Sequence, residues 1–413
     1  MFCIFFHSKN RVIIMELITP HYFTFSPFVS KKRVFHWCLG STINQSGKGV
    51  GMKRIIRIIG FFAFFSLAVI ALFFSIVFFN SYCSEKSCKT LSANSARRMA
   101  TLEDYLKHRM IDRGIEFVDE DINATGLVGP EFTELTSTPG DEREKRSTLN
   151  PMSASACVEM FVSSGLKEGD TIAVGASGSY PGFLLAVLSA ATEMKLNVRL
   201  ILSLGSSMYG ATRPEYNIFD IAGDAKDSGL VEYELLAVSR GYKDDMGGSV
   251  MEGILFENTQ EFSLEICRKE AEKRGCLLIN PLDYETSVKE RLELFGDVDL
   301  FVNVGGAPVN IGNGTYSFSV PVGLVEEMDN IPEGAGRGLV YEYLDEKVPV
   351  VNLLDSKGFS EKYGVEFDLS PFPEDYSPSV DYTFLAISIS LALMSIVILV
   401  ALCIIFLRIR NEE

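Results

Sequence analysis

Histidine is nearly absent from this sequence of 413 residues: there are four, and His108 alone lies between the two long apolar runs of the chain. The sequence also contains no C-x-x-C pair, so the cysteine and histidine spacing typical of structural zinc sites is missing. No histidine follows Ser177, which removes the usual base of a serine triad from this serine. We therefore expect neither a metal site nor a cofactor.

Positive charge is scarce in the middle of the chain. Residues 1–57 and 382–413 hold eleven of the 38 Lys/Arg and three of the 54 Asp/Glu. Residues 58–381 therefore hold 27 basic and 51 acidic residues, a net charge of about −24. A domain of that charge does not bind nucleic acid or an anionic membrane through a general field. Its densest basic cluster is Arg143, Lys145 and Arg146. This cluster is either a solvated face or a local contact for an anionic polymer.

Two apolar runs, residues 58–80 and 382–407, are long enough to cross a bilayer. Lysine and arginine precede the first run, and Arg408 and Arg410 follow the second, so we expect both termini in the cytoplasm and the intervening domain outside it. A cleaved signal peptide is the alternative for the first run. Its apolar core exceeds the usual length of about 7 to 15 residues, which favours a retained anchor. Residues 408–413 then form a cytoplasmic tail.

The segments next to these spans differ from the rest of the chain. Residues 1–51 mix short apolar and basic fragments without a sustained period, and Met52 opens the basic approach to the first span. We expect translation to start at Met52; a disordered basic tail is the alternative. Residues 81–100 are predicted to be a polar stalk, and the prolines of residues 371–381 indicate an extended linker.

Four cysteines outside the apolar runs form two pairs of near neighbours in sequence. Cys83 and Cys88 follow the first span, and Cys267 and Cys276 flank the end of a predicted helix. Each pair could form a disulfide in an oxidising compartment. The spacing alone does not determine which cysteines pair.

Residues 101–370 alternate between predicted strands and helices. A helix from Thr101 to Gly114 comes first, followed by a polar loop over residues 119–146. Predicted strands are 171–174, 197–203, 231–238, 276–279, 299–304 and 347–354, and further helices are predicted at 150–165, 181–191, 258–274 and 285–295. This alternation predicts an α/β fold, namely a doubly wound, mostly parallel three-layer domain between two transmembrane helices.

The stretch Asp170–Gly182 is the strongest candidate for a functional site. Its strand is expected to stop at Gly175, where a tight turn leads into a helix from Pro181. Ligands bind at the carboxyl ends of strands in such sheets, and three loops rich in glycine and serine leave predicted strand ends. The candidate ligand-binding residues are Gly175, Ser177, Gly178, Ser179, Tyr180, Gly205, Ser206, Ser207, Asn303, Gly305 and Gly306.

Two chemistries fit this stretch. Residues 175–179 approach the G-x-S-x-G pattern of a nucleophile elbow, with Ser177 in the nucleophile position, but end in serine. Without histidine, such a serine would need a lysine or a carboxylate as its base. Alternatively, backbone N–H groups at the start of the following helix hold a carboxylate or a phosphate. In a third interpretation the glycines only permit a tight turn.

Several segments together resemble one family. They are Asp121–Pro130 (DINATGLVGP), Arg146–Pro151 (RSTLNP) and Gly169–Pro181 (GDTIAVGASGSYP), extended by Leu202–Ser207 and Asn303–Gly306. Over most of residues 100–355 the chain is similar to the bacterial poly-gamma-glutamate system protein family. Membership implies an accessory protein of the bacterial cytoplasmic membrane that works with an ATP-dependent poly-gamma-glutamate ligase and the ligase's multi-span membrane partner. It implies no particular catalytic activity.

The sequence therefore leads to two hypotheses. In the first, the chain is a membrane-anchored accessory protein of poly-gamma-glutamate biosynthesis or export, for a capsular or released polymer. Its outer domain contacts the polymer, a small anion or a partner subunit, and its acidity repels the product, which suits passage or release. The alternative is a membrane-tethered serine hydrolase that acts outside the cytoplasm through Ser177.

Overall fold

The computed structural model describes residues 7–8, 11–12, 48–378 and 381–411. The chain divides into two compact units, Met1–Ile70 with Ser395–Glu413, and Ala71–Met394. Most of the predicted leader, together with small parts of the predicted linker and tail, lies outside the described residues. In the first unit, strands β1 (His7–Ser8) and β2 (Arg11–Val12) pair antiparallel.

Helix α1 spans Lys48–Asp112 without a break. The prediction of a new helix that begins at Thr101 is therefore wrong, since the helix already runs through the segment 81–100 that was predicted to be a stalk. The Thr101 hydroxyl donates a hydrogen bond to a carbonyl one turn earlier in the same helix instead of capping a helix start. The reason is that residues 61–113 contain neither glycine nor proline, so nothing interrupts the helix. Gly114, in the left-handed conformation, follows its end.

Two helices, α1 and the C-terminal α11 (Thr383–Asn411), are long and apolar enough to cross a membrane by length and composition. In the second unit, serines on the two helices bond reciprocally. Ser75 Oγ donates to Ser388 O at 2.8 Å, and Ser388 Oγ donates to Ser75 O at 2.9 Å. Small polar residues of this kind allow close approach of helices and satisfy one another in apolar surroundings.

The second unit contains a seven-stranded sheet with the spatial order β10-β11-β9-β4-β5-β7-β8. Its strands are β4 (Thr171–Ser177), β5 (Asn197–Ser203), β7 (Glu234–Ser239), β8 (Leu277–Ile279), β9 (Leu300–Val304), β10 (Gly323–Val325) and β11 (Val350–Leu353). Only β10 runs antiparallel to its neighbour in this sheet. Two short strands, β3 (Thr136–Thr138) and β6 (Ser206–Ser207), form a separate parallel pair. The predicted α/β class with a mostly parallel sheet is confirmed.

Buried side chains of successive strand residues alternate between two apolar clusters. On β9, Leu300 and Val302 belong to one cluster and Phe301 to the other. The remaining helices are α2 (Glu142–Thr148), α3 (Met152–Ser163), α4 (Pro181–Glu193), α5 (Ile218–Asp227), α6 (Thr259–Arg274), α7 (Tyr284–Phe295), α8 (Pro308–Ile311), α9 (Leu339–Asp345) and α10 (Ser356–Tyr363). Helices α3, α4, α5 and α6 contribute to the first cluster, and α7, α8 and α9 to the second. This alternation follows from the two-residue period of a strand.

Two boundaries at the candidate site differ from prediction. Strand β4 does not stop at Gly175 but continues to Ser177. The glycine is needed for close packing, because a Cβ at this position would lie 2.8 Å from both terminal atoms of the Asn310 amide. In addition, residues 119–146 are not simply a loop, since they contain β3 and most of α2.

The two cysteine pairs predicted as possible disulfides are free thiols in the structure. Cys83 and Cys88 lie on the continuous helix α1, where a separation of five residues places them about 7.5 Å apart along the axis and on different faces. A disulfide cannot bridge that geometry. Cys267 is buried in α6 and its thiol donates to Ser239 O at 3.3 Å, while Cys276 is half-buried beyond the end of that helix.

Candidate functional site

The carboxyl ends of the central strands β9, β4 and β5 lie side by side. From β4 the chain proceeds to β5 on one side of the sheet, whereas β9 is followed by its neighbours β10 and β11 on the other side. The chain therefore changes its direction across the sheet between β4 and β9. Open α/β sheets bind ligands in crevices at such points. The three predicted loops leave the sheet at this edge.

The loops after β4 and β5 are joined by hydrogen bonds between their serines and glycines. Ser207 N donates to Ser179 Oγ at 3.1 Å, and Ser206 Oγ donates to Gly178 O at 2.9 Å. Gly178 N also donates to Gly205 O at 3.1 Å. The predicted residues of these two loops thus form one hydrogen-bonded unit.

Strands β3 and β6 hold Ser207 in place and bring α2 to it. Met208 N donates to Thr138 O at 3.0 Å, which extends the β3–β6 pairing past Ser207. The chain then turns at Gly140, where a Cβ would lie 2.7 Å from Met208 O, so that only glycine fits. Asp141 caps α2 by accepting from Arg143 N at 2.9 Å.

Lys145 of α2 is the cation at this site. Its side chain is 2% exposed. The ammonium nitrogen Nζ donates to Ser207 Oγ at 2.7 Å and lies 3.7 Å from the centre of the Tyr180 ring, over its face. Burial lowers the pKa of Lys145 to about 7, against the opposing influence of the Glu144 and Asp141 carboxylates. Lys145 therefore changes between its protonated and its neutral form near pH 7.

Tyr180 forms a wall of the site and links α2 to α4. Its hydroxyl donates to Glu144 Oε2 at 2.8 Å. Burial, followed by the nearby Glu144 carboxylate, raises the pKa of Tyr180 well above its ordinary value. The phenol therefore stays neutral and keeps the ring under Lys145.

The other members of the basic cluster are not in the site. Arg143 is exposed and pairs with Asp141 at 2.6 Å. Arg146 is buried, and its guanidinium donates two hydrogen bonds to Asp368, at 2.7 and 3.0 Å, and a third to Glu120 O. These contacts link α2 to Glu120, which precedes it, and to Asp368 near the end of the domain, so only Lys145 of the three is directed at the loops.

Ser177, the predicted nucleophile, ends β4 and is 3% exposed. Its Oγ accepts a long hydrogen bond of 3.5 Å from Ser179 N. Gly305 approaches it so closely that a Cβ there would lie 2.4 Å from Ser177 Oγ, which brings the third loop against the first. Within residues 48–378, the structure gives Ser177 Oγ no hydrogen bond to a lysine or a carboxylate.

The remaining predicted residues lie within or beside the sheet. Gly175 and Asn303 are register partners on β4 and β9, shortly before these strands end at Ser177 and Val304. Asn303 Nδ2 donates to Asn352 Oδ1 at 2.8 Å. Gly306 is half-buried and packs near Leu354. These residues lie in and beside the sheet beneath the loops.

Gly182 provides a test of the packing that positions α2. A Cβ at Gly182 would lie 2.5 Å from the backbone carbon of Thr148, the last residue of α2. We expect Gly182→Ala to lower the free energy of unfolding by about 2–3 kcal/mol, because backbone atoms cannot move aside as a flexible side chain can. Chemical denaturation measures this. Gly306→Ala is the control, since its Cβ would meet only Leu354 at 3.4 Å; an equal loss in both variants would contradict the packing argument.

The sequence predicts a basic contact at Lys145 and a ligand-binding residue at Ser207, but nothing in the sequence indicates that the two side chains meet. The missed signal was Asp141, which is followed by Glu142 and Glu144 and then by basic residues, as expected of a short helix with a cap. Recognising α2 would have placed Lys145 on a packed helix instead of a loop. The contact with Ser207, 62 residues away, depends on the β3–β6 pair, which no periodicity indicated.

The site can therefore offer the buried ammonium of Lys145 and the hydroxyls of Ser179 and Ser207 to one ligand group. This combination suits a carboxylate or the carbonyl of an acyl group. Among the described residues there is no cluster of three or more His, Cys, Asp or Glu that could hold a metal ion. In comparisons with known proteins, the chain matches no family model, no curated protein and no solved structure.

Proposed function

We propose that this chain is a membrane-anchored accessory protein of poly-gamma-glutamate synthesis or export, and that its outer domain binds a carboxylate of the polymer. The observation that carries the binding role is Lys145, a buried cation at the strand ends with Ser207 as its hydrogen-bond partner. In this proposal the domain is a doubly wound three-layer sheet outside the cytoplasm. Both termini are cytoplasmic, and the partners are the ligase and its multi-span membrane subunit.

The family resemblance is the basis for proposing this polymer and these partners. The side chains at the site are the basis for proposing a carboxylate as the bound group. A gamma-linked glutamyl chain carries one free carboxylate per residue. Below its pKa of about 7, protonated Lys145 supplies the charge, and the hydroxyls of Ser179 and Ser207 supply neutral donors. Charge-assisted hydrogen bonds of this kind are roughly twice as strong as neutral ones.

The acidic domain limits how much polymer is held. Because the residues between the spans carry a net charge of about −24, they repel a long polyanion everywhere except at a local site. Salt screens the repulsion between exposed charges more than it screens a buried contact. The domain is therefore suited to hold one chain segment briefly and release it, as passage of a polymer requires.

Binding of gamma-linked oligoglutamate to the full-length protein in detergent tests this function. We expect Lys145→Met to weaken binding at least about tenfold, which corresponds to the loss of one charge-assisted hydrogen bond of about 1.5–3 kcal/mol. Arg143→Ala is the matched control, because Arg143 is exposed and already paired with Asp141. Calorimetry or fluorescence anisotropy provides the measurement.

The salt dependence supplies a second criterion in the same experiment. Between about 0.01 M and 0.15 M salt the Debye length falls from about 30 Å to about 8 Å, so binding of a long polymer should strengthen. Binding that weakens steeply with salt, or that survives loss of Lys145, would show that an exposed basic surface holds the polymer and would overturn the proposal.

A further inference from the structure

We infer that Ser207 is the nucleophile and Lys145 the general base of an acyl-transfer site that cleaves amide bonds of the gamma-glutamyl type. The dyad follows from the geometry of the two side chains, whereas the choice of a gamma-glutamyl amide as substrate rests on the proposed function. The hydrolase hypothesis drawn from the sequence placed the nucleophile at Ser177. The structure assigns the lysine to Ser207 instead.

The contact between the two side chains has the geometry that a serine and its base require. Lys145 Nζ and Ser207 Oγ are 2.7 Å apart, within the range of about 2.6–3.2 Å for proton transfer between a nucleophile and its base. Both residues are more than nine-tenths buried. The short distance therefore lies in a site from which bulk water is largely excluded.

Lys145 is held in a way that favours its neutral form. Within residues 48–378, no carboxylate forms an ion pair with Lys145, although Glu144 and Asp141 are near it in sequence. Glu144 is engaged by the Tyr180 hydroxyl, and Asp141 by Arg143. A buried ammonium without a paired carboxylate is costly, and neutralisation removes that cost. The pKa of Lys145, lowered to about 7, agrees with this arrangement.

The backbone around Ser207 is firmly positioned and locally strained. Ser207 N is bonded to Ser179 Oγ, and the residues on both sides are paired with the β3 segment. Two residues later, Tyr209 has a φ of 63°, the left-handed region that bulky residues rarely adopt. Its carbonyl and N–H are held by Gly129 N and Pro130 O. Strain that the surroundings maintain in this way concentrates at functional loops.

The reaction needs only water as co-reactant. Neutral Lys145 takes the proton of Ser207 Oγ as Oγ attacks the amide carbonyl carbon. When the tetrahedral intermediate collapses, the C–N bond breaks and the leaving amine takes the proton from Lys145 Nζ. Water then attacks the acyl ester, gives a proton to Lys145, and the carboxylic acid leaves as Ser207 Oγ recovers its proton. No oxidation or reduction occurs.

Labelling of the full-length protein with a small fluorophosphonate tests the nucleophile. We expect covalent modification at Ser207, located by peptide mass spectrometry, and its loss in Ser207→Ala. Ser163→Ala is the control and should retain labelling, because Ser163 is exposed at the end of α3 and lies outside the site. Absence of labelling in the folded wild-type protein, or labelling that persists in Ser207→Ala, would overturn the assignment.

The lysine is tested by the pH dependence of the labelling rate. For the wild-type protein the rate should rise through a pH of about 7 as Lys145 loses its proton. Lys145→Arg keeps the positive charge but cannot deprotonate, so we expect at least a hundredfold loss of rate without the rise. A rise that survives in Lys145→Arg would contradict a base role for this lysine.

Binding separates this inference from the proposed function. Ser207→Ala should bind gamma-linked oligoglutamate more weakly than the wild-type protein, because one neutral donor is lost, but binding should stay measurable since Lys145 remains. The variant should not release glutamate from the bound chain. Labelling at Ser207 without oligoglutamate binding would support the Ser207–Lys145 dyad and overturn the proposal that poly-gamma-glutamate is the ligand. Binding without labelling would overturn the dyad and leave the accessory role standing.

Discussion

Replacing Asp245 with alanine is expected to lower the free energy of unfolding by about 3–5 kcal/mol, because it leaves Arg291 buried without a counter-charge. Asp245 is 0% exposed and Arg291 is 1% exposed. Arg291 Nη2 lies 2.9 Å from Asp245 Oδ2. Two serine hydroxyls, of Ser239 and Ser287, and the N–H of Gly241 also donate to the Asp245 carboxylate, at 2.8–2.9 Å.

This ion pair fastens the loop after β7 to helix α7. The loop is strained, since Tyr242, Asp244 and Asp245 all have φ between 53° and 64°. Each such residue costs on the order of 1–3 kcal/mol and persists only where its surroundings hold it. Loss of the carboxylate should therefore release the loop as well as the arginine.

Urea denaturation of the full-length protein in detergent measures the effect. Asp104→Ala is the control, because Asp104 is exposed on α1 and its loss should change stability by no more than about 0.5 kcal/mol. A double variant, Asp245→Leu with Arg291→Met, should recover part of the loss, since apolar residues can replace a buried ion pair. Equal destabilisation by Asp245→Ala and Asp104→Ala would refute the argument.

Lys145→Met is expected to stabilise the protein below pH 7 by on the order of 4 kcal/mol. The pKa of Lys145 falls from 10.5 to about 7 on folding, because the side chain is buried. Between these two pH values the unfolded chain binds a proton that the folded chain does not, so wild-type stability rises with pH. The methionine variant lacks this contribution. Its advantage should therefore shrink from pH 7 to pH 10 by about 1.4 kcal/mol per pH unit.

Denaturation of both proteins at a series of pH values gives the difference between their free energies of unfolding. The contributions of the other titrating groups are the same in both proteins and cancel in this difference. Glu144, Asp141 and Tyr180 lie around Lys145 and are unchanged in the variant. Lys289→Met, on the exposed face of α7, controls for the loss of a lysine. A difference that does not vary with pH would show that Lys145 is not penalised by burial. A substitution that raises stability by removing a buried charge is typical of a position whose residue serves function.

Local patterns were sufficient for most elements of the fold. The strand Asn197–Ser203 and the helix that begins at Pro181 are where the sequence places them. The helix Thr259–Arg274 ends at Gly275 as predicted. In each case the determinant is local: a short apolar run, a proline in a first turn or a glycine that can adopt a left-handed conformation.

The predictions of secondary structure were wrong where the surrounding chain outweighed a local pattern, or where an element was too short to show a pattern. Thr101 and its acidic neighbours resemble a helix start, but without a helix breaker α1 simply continues through them. Gly175 looked like a turn and is instead the place where Asn310 packs against β4. The three-residue strand β3 has no period long enough to detect.

The sequence by itself determined the class of this protein: two apolar helices, an acidic domain, a mostly parallel sheet, and Gly/Ser loops at strand ends. These depend on composition and on periods of two and 3.6 residues, which a chain displays along its length. Only the tertiary structure decided that Lys145 meets Ser207. That contact requires β6 to pair with β3 and α2 to fold back over the pair, and burial of the lysine then changes its acidity. Neither the contact nor the desolvation is encoded in any single stretch of residues, because both exist only when distant segments exclude water together.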